Sequence, residues 1–545
     1  MLINRYDGLN LFYNRFKTKE VKVGNVIIGG NAPIRIQTMT NTNTRDVKST
    51  INQIIQLHDI GAEIIRIAVP TIKDVDAVKE ISNFLKSNKK NIPIIADVHF
   101  IPEIAEKVAP YVQKVRINPG NYVNRSKSLQ KKEYTLSEIE QEKEKIYKNI
   151  LPLLKVCKEH QTAIRIGINF ASLSWRMIHT YGNTPQAMVT SAMEFYEICR
   201  YENFENLIFS FKASDVKQTI YANRLYVKEM LEKYGVVYPL HIGITEAGMD
   251  IDGRIKSIVG IGTLLLDGIG DTIRVSLTES PEKEIPVAKK IVELLQHNTK
   301  GYQTNDFKKL VYTEPIKRER VAYNFIGGNN SFAYKVFNGS LNSDLNWRNI
   351  NKKNTNIQFI TIDLKNSIFD TRKKISIVLK NEKPIVVKFV LKATLDYELF
   401  CLHVGNLLVE KLIDAIIIET SESLKDYWEN ILKIILQTTG TLRAVNEYIS
   451  CPSCSRTTFD IENLTRQVKE ETKLLQGYKI AVMGCVVNGP GEMHDADYGI
   501  VGVAKEKVNI YRKGELILTG IPINKAVMTL INLIKADENS NFSNK

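Results

Sequence analysis

A chain of 545 residues, 43% hydrophobic and 25% charged, is ordinary globular material and too long for one core, so about two to four domains are expected. No apolar run approaches the ~18 residues of a membrane helix and the N-terminal stretch has no signal-peptide core, so a cytoplasmic protein without a membrane partner is expected. The formal net charge of +14 invites a nucleic-acid reading, but the basic clusters (KSNKKN, DTRKK) are short lysine runs in loop-like sequence, and no nucleic-acid partner is expected.

Between residues 20 and 300, short β-branched runs alternate with helical stretches. The runs are APIRIQTMT, AEIIRIAV, IPIIADVHF, VQKVRINPG, AIRIGINFA, NLIFSFKAS, PLHIGITEAG and DTIRVSL. Eight β/α units predict an α/β fold opening with a (β/α)8 TIM-type barrel over residues 1–298.

In five of these runs a cation stands between two apolar residues: Ile65-Arg66-Ile67, Val115-Arg116-Ile117, Ile164-Arg165-Ile166, Phe211-Lys212-Ala213 and Ile273-Arg274-Val275. Side chains alternate along a strand, so apolar neighbours facing the outer helices turn the cations into the lumen. Five buried cations need an anion. His99, Asn118, Asn169, Glu246 and Ser276 would join them at the C-terminal mouth, where barrel active sites lie. The expected ligand is polyanionic, and a diphosphate suits the forked donors of several arginines. One of the five is expected to be a structural ion pair, with Asp97 or Asp271 as its partner.

From about 300 to 355 the chain is polar and irregular and reads as linker or long loops. NIQFITIDL, PIVVKFVLKA and DAIIIET then alternate with helical segments near 366–380, 394–412 and 421–437. This predicts an inserted, partly barrel-like β/α scaffold domain over 299–439, followed by an α/β domain over 440–545 with strands KIAVM, KVNIYRKG and ELILTGIP. A helix over 460–475 starts on an aspartate.

The last domain carries Cys451 and Cys454 in EYISCPSCSR, then Cys485 and Glu492 in MGCVVNGPGEMHD. Thiolates suit iron–sulfur clusters and zinc, whereas a carboxylate is a hard, exchangeable ligand. The spacing alone leaves two readings: a cluster with one iron not fixed by sulfur, or a structural zinc site completed by Glu492 or His494. Cys157, Cys199 and Cys401 have no partner spacing and read as core residues.

Taken in order, QTMTNTNTRD, IRIAVP, ADVHF, VRINPGN, IRIGIN, KASD, PLHIGITEAG, GIGDTIRVSLTESP, EYISCPSC and MGCVVNGPGE resemble the 4-hydroxy-3-methylbut-2-enyl diphosphate synthases in their long, three-domain form. These are iron–sulfur oxidoreductases of the non-mevalonate isoprenoid pathway. The resemblance implies reductive ring opening and dehydration of 2-C-methyl-D-erythritol 2,4-cyclodiphosphate, with electrons from ferredoxin or flavodoxin. It also implies a [4Fe–4S] cluster on Cys451, Cys454, Cys485 and Glu492, and Glu246 as the acid that protonates the departing oxygen. Diphosphate binding would fall to Arg66, His99, Arg116, Arg165, Lys212, Arg274 and Ser276, with Asn169 nearby. The family's short forms close their site across a dimer, and the inserted domain would let this chain close on its own barrel, as a monomer or a homodimer. A non-redox iron–sulfur hydro-lyase and a zinc-stabilised barrel enzyme acting on a phosphorylated substrate are the alternatives; reductant dependence and metal content separate them.

Overall fold

Each of the eight predicted barrel strands is present, and what they bury explains why they pair. The computed structural model describes residues 11–543 except 100, 123–133, 304–332, 339–357, 380–384, 455, 458, 476, 487–488 and 494. A hairpin of β1 (Val21–Val23) and β2 (Val26–Ile28) precedes β3 (Arg35–Met39), β4 (Ile64–Ala68), β5 (Ile94–Asp97), β6 (Lys114–Ile117), β7 (Ala163–Asn169), β8 (Leu207–Lys212), β9 (His241–Ile242) and β10 (Thr272–Ile273). The order β8-β7-β6-β5-β4-β3-β10-β9 is parallel throughout, and a Phe209–Leu240 bridge closes the ring.

Register gives the lumen its layers. Arg66 pairs with Ile95, and Arg116 with both Asp97 and Arg165. Period-two alternation then turns Ile64, Ile95, Ala163 and Ile208 to the lumen as well, Ile95 and Ile208 beside Arg66 and Arg165 and the other two one step toward the N-terminal end. Val21, Val23 and Ile28 of the hairpin pack onto these four residues. The hairpin therefore closes the N-terminal end of the barrel with an apolar plug, and the open end is the opposite mouth.

Contacts divide the described chain into two units. One holds residues 17–254, 270–289 and 446–545, that is, most of the barrel together with the C-terminal sheet. The other holds 1–16, 255–269 and 290–445. Its sheet contains β11 (Ala333–Asn338), β12 (Gln358–Ile362), β13 (Ile385–Val390) and β14 (Ala415–Thr420), parallel and in the order β11-β14-β13-β12. Helices Ile368–Leu379, Tyr397–Val409 and Lys425–Thr438 alternate with these strands as expected. Strand β11 falls in the stretch read as linker, because asparagine and glycine surround a short run that becomes a strand only by pairing with β14. Residues 304–332 and 339–357 of that stretch lie outside the described residues.

The C-terminal sheet runs β15 (Glu447–Ser450), β16 (Lys479–Met483), β17 (Tyr498–Ala504), β18 (Lys507–Arg512) and β19 (Glu515–Pro522) in sequence order. The first three are parallel and the last two antiparallel. Helix Ile461–Thr472 is capped by Asp460, whose carboxylate accepts from Asn463 N. No helix among the described residues is long and apolar enough to cross a membrane.

Candidate active site

The mouth of the barrel opens into a cavity of about 790 Å³, including its open entrance. Arg66, Arg116, Arg165, Lys212 and Arg274 all line it, as the strand alternation predicts, and His99, Asn169, Glu246 and Ser276 line it with them. The C-terminal sheet supplies another wall through Cys451, Cys454, Arg456 and Cys485. Asn118, expected at the mouth, instead caps the turn after β6, its Oδ1 accepting from Gly120 N at 3.2 Å.

Asp97, at the end of β5, organises one side. Arg116 Nη1 donates to Asp97 Oδ1 at 3.2 Å, while Asp97 Oδ2 lies 3.3 Å from His99 Nε2 and 3.5 Å from Arg456 Nη2. Burial holds the His99 pKa down, to about 3, with Asp97 opposing and Arg116 and Arg456 reinforcing. The imidazole is thus neutral at physiological pH and its Nε2 lies 2.7 Å from Arg116 Nη1. The expected structural ion pair is Arg116 with Asp97, and Arg274 makes a second one with an acid the sequence did not single out. Its Nη2 donates to Glu284 Oε1 at 3.2 Å, and Thr38 donates to the same carboxylate. Asp271 accepts from Thr18 Oγ1 and Leu240 N.

The remaining cations strain against one another. Burial pulls the Arg66 guanidinium down to about 9 although Asp97 supports it, and Arg274, Arg116 and Arg456 depress it further. Arg165 and Lys212 are lowered by burial first and by neighbouring positive charge second. Lys212 Nζ lies 3.1 Å from His241 Nε2, and His241 is itself held by Thr272. A polyanion relieves this repulsion; a neutral ligand does not.

Several contacts hold the C-terminal sheet over the mouth. Ala247 and Ser450 form a parallel bridge, Thr278 Oγ1 lies 2.6 Å from Ser450 Oγ, and Lys469 Nζ lies 2.7 Å from Asp252. A Cβ on Gly491 would stand 2.5 Å from the Ala171 carbonyl, so only glycine lets the loop before Glu492 approach this closely. Glu492 is buried, accepting from Asn169 Nδ2 at 3.4 Å and from Thr245 Oγ1 at 3.2 Å. Burial raises its carboxyl well above the usual range, and the hydrogen-bonded Glu246 adds to the effect. Glu246 adopts φ +47°, a left-handed conformation that a non-glycine residue holds only when its surroundings enforce it.

The three cysteines are free thiols, half-buried, with Gly484 N donating to Cys451 Sγ at 3.2 Å. Burial, then Cys485, raise the Cys451 thiol. The donors fit an iron–sulfur group: three thiols line one cavity, and the buried carboxyl of Glu492 is held by Asn169, which lines it too. Among the described residues no three His, Cys, Asp or Glu side chains converge tightly enough for a single metal ion. His494 lies outside the described residues.

Arg456, Thr245, Glu284 and His241 carry no signal in the sequence that separates them from ordinary polar residues. Lys114 did have one: it stands two residues before Arg116 and so shares its face. It is fully buried and its Nζ has no hydrogen-bond partner among the described residues.

Comparison with known proteins matches residues 18–289 to the GcpE TIM-barrel domain and 447–536 to the GcpE protein C-terminal domain. The chain is 38% identical to the 4-hydroxy-3-methylbut-2-en-1-yl diphosphate synthase (flavodoxin) of Phocaeicola vulgatus, over 97% of this chain and 99% of that one. It is 35% identical to the enzyme of the same name from Bacteroides fragilis, over 97% of each. Identity to the chloroplastic 4-hydroxy-3-methylbut-2-en-1-yl diphosphate synthase (ferredoxin) of Oryza sativa subsp. japonica is 33%, over 96% of this chain and 87% of that one.

Proposed function

Because the chain belongs to the 4-hydroxy-3-methylbut-2-en-1-yl diphosphate synthase family, we propose that it converts 2-C-methyl-D-erythritol 2,4-cyclodiphosphate to 4-hydroxy-3-methylbut-2-enyl diphosphate in isoprenoid biosynthesis. The observation that carries this reading is the meeting of the barrel cations and the three cysteines in one cavity. In it, the barrel binds the diphosphate, the C-terminal domain holds the redox group and the inserted segment is scaffold. Flavodoxin or ferredoxin delivers electrons in the cytoplasm.

Arg66, Arg165 and Lys212 bind the diphosphate, whose charge offsets their mutual repulsion and leaves them placed to stabilise it as it departs. Arg116 and His99, held by Asp97, orient it, with Arg274, Ser276 and Asn169 completing the wall. A [4Fe–4S] cluster held by Cys451, Cys454, Cys485 and Glu492 would supply single electrons and a Lewis acid at the departing oxygen. Glu246 holds the proton that this oxygen needs to leave as water.

Anaerobic EPR after dithionite reduction is the direct test. A [4Fe–4S] signal that changes on adding the cyclic diphosphate is expected; bound zinc and no iron signal would remove the redox mechanism.

Lys212 adds a pH dependence. Burial, then Arg165 and Arg66, lower its pKa in the free protein, and a bound diphosphate raises it again. A group raised by binding contributes affinity that is complete below its free-state pKa and lost as pH rises through its value in the complex. Net proton uptake on substrate binding is therefore expected between that lowered value and the ordinary lysine value of about 10.4. Calorimetry in buffers of different ionisation enthalpy measures it, and net proton release would contradict the assignment.

Closure within one chain makes a further expectation. Mixing an inactive barrel variant with an inactive cysteine variant should restore no activity, since each chain pairs its own mouth with its own cysteines. Recovery of activity would show that sites are shared between chains.

A further inference from the structure

Arg456 differs from the other cations of the cavity because the barrel does not carry it. It follows Cys454 by two residues, beyond the end of β15, and its side chain is 13% exposed. One end of the guanidinium faces Asp97, with Nη2 3.5 Å from Oδ2. It lines the same cavity as Cys454 and Cys485. A single side chain thus joins the cysteine loop to the carboxylate that orders Arg116 and His99. The diphosphate and proton-transfer roles above leave it without a task.

We propose that Arg456 is a positioning residue that raises the reduction potential of the cluster and, through Asp97, registers the cysteine loop on the barrel mouth. The inference rests on the cluster reading above. A reduced cluster carries one more negative charge than an oxidised one, and a fixed, buried cation beside the ligating sulfurs favours the reduced form. Burial strengthens the effect, because little water screens the pair. The couple concerned takes one electron from a flavodoxin- or ferredoxin-type donor. No bond is made or broken at Arg456, and the guanidinium keeps its proton throughout.

Asp97 explains why arginine suits the position. A planar guanidinium can hold the carboxylate while its charge faces the cysteines, whereas a lysine ammonium keeps the charge but not that fixed orientation.

The test compares wild type, R456Q and R456K after anaerobic reconstitution, measuring iron and sulfide per chain and then the potential by a dye-mediated titration followed by EPR. R456Q is expected to retain wild-type iron. At the poise where wild type is half reduced, its ratio of reduced to oxidised cluster should fall about tenfold, equivalent to about 59 mV for a one-electron couple. R456K should recover most of that shift. If R456Q loses its iron, the uncharged R456M, of similar length, takes its place: a lowered potential at full iron supports the role and an unchanged one overturns it. Full iron with an unchanged potential in R456Q overturns the inference alone, as does loss of iron in both uncharged variants, which would mark a purely structural residue. A wild type without any iron–sulfur signal would overturn the cluster reading and this inference with it.

Discussion

Glu246→Gln is expected to lower turnover by about 10²- to 10⁴-fold while the cyclic diphosphate still binds, the range over which a positioned general acid contributes. The residue follows β9 in a buried, left-handed conformation, lines the cavity and is hydrogen-bonded to Glu492. Glutamine keeps the volume and the hydrogen-bonding reach but cannot give up a proton to a departing oxygen. Two carboxyl groups in contact within a dry site resist ionising together, so the arginines nearby do not strip both of their protons. Anaerobic kcat and an independently measured Kd check the expectation; near-normal turnover with normal binding would rule out proton donation by Glu246.

Arg165→Gln should act in opposite directions on affinity and stability. Loss of a buried cation that meets the diphosphate is expected to weaken binding by about 2–5 kcal/mol, roughly 30- to 5,000-fold. The free protein should nevertheless melt at a higher temperature, because burial and then Arg66 and Arg116 work against the Arg165 charge. Arg116→Gln makes the contrast, since it deprives Asp97 of a hydrogen-bond donor and should lower the melting temperature. Calorimetric Kd and thermal melts of the two variants test the assignment. A lower melting temperature for Arg165→Gln, with affinity unchanged, would mean that Arg165 serves the fold and not the ligand.

Local pattern made much of this protein legible. A cation between two apolar residues in a β-branched run has one orientation in a closed barrel, so Arg66, Arg116, Arg165, Lys212 and Arg274 could be assigned to the lumen from alternation alone, as all five prove to be cavity-lining. The same rule would have added Lys114, two residues before Arg116. The resemblance of ordered motifs led to the family, which the comparisons then showed.

Only the tertiary structure decided which charges meet. Asn169 and Glu492 are 323 residues apart in sequence, and Thr245 and Glu492 are 247 apart. Nothing periodic encodes such pairs; they follow from the packing of the C-terminal sheet on the barrel mouth. Glu284, Arg456 and the hairpin plug were hidden for the same reason, as was β11, which is a strand because β14 lies beside it. The sequence by itself determined the kind of site, because side-chain direction along a strand is a local property. Which carboxylate faces which cation was decided by the fold, because electrostatic partners are set by distance in space and by the exclusion of water around them.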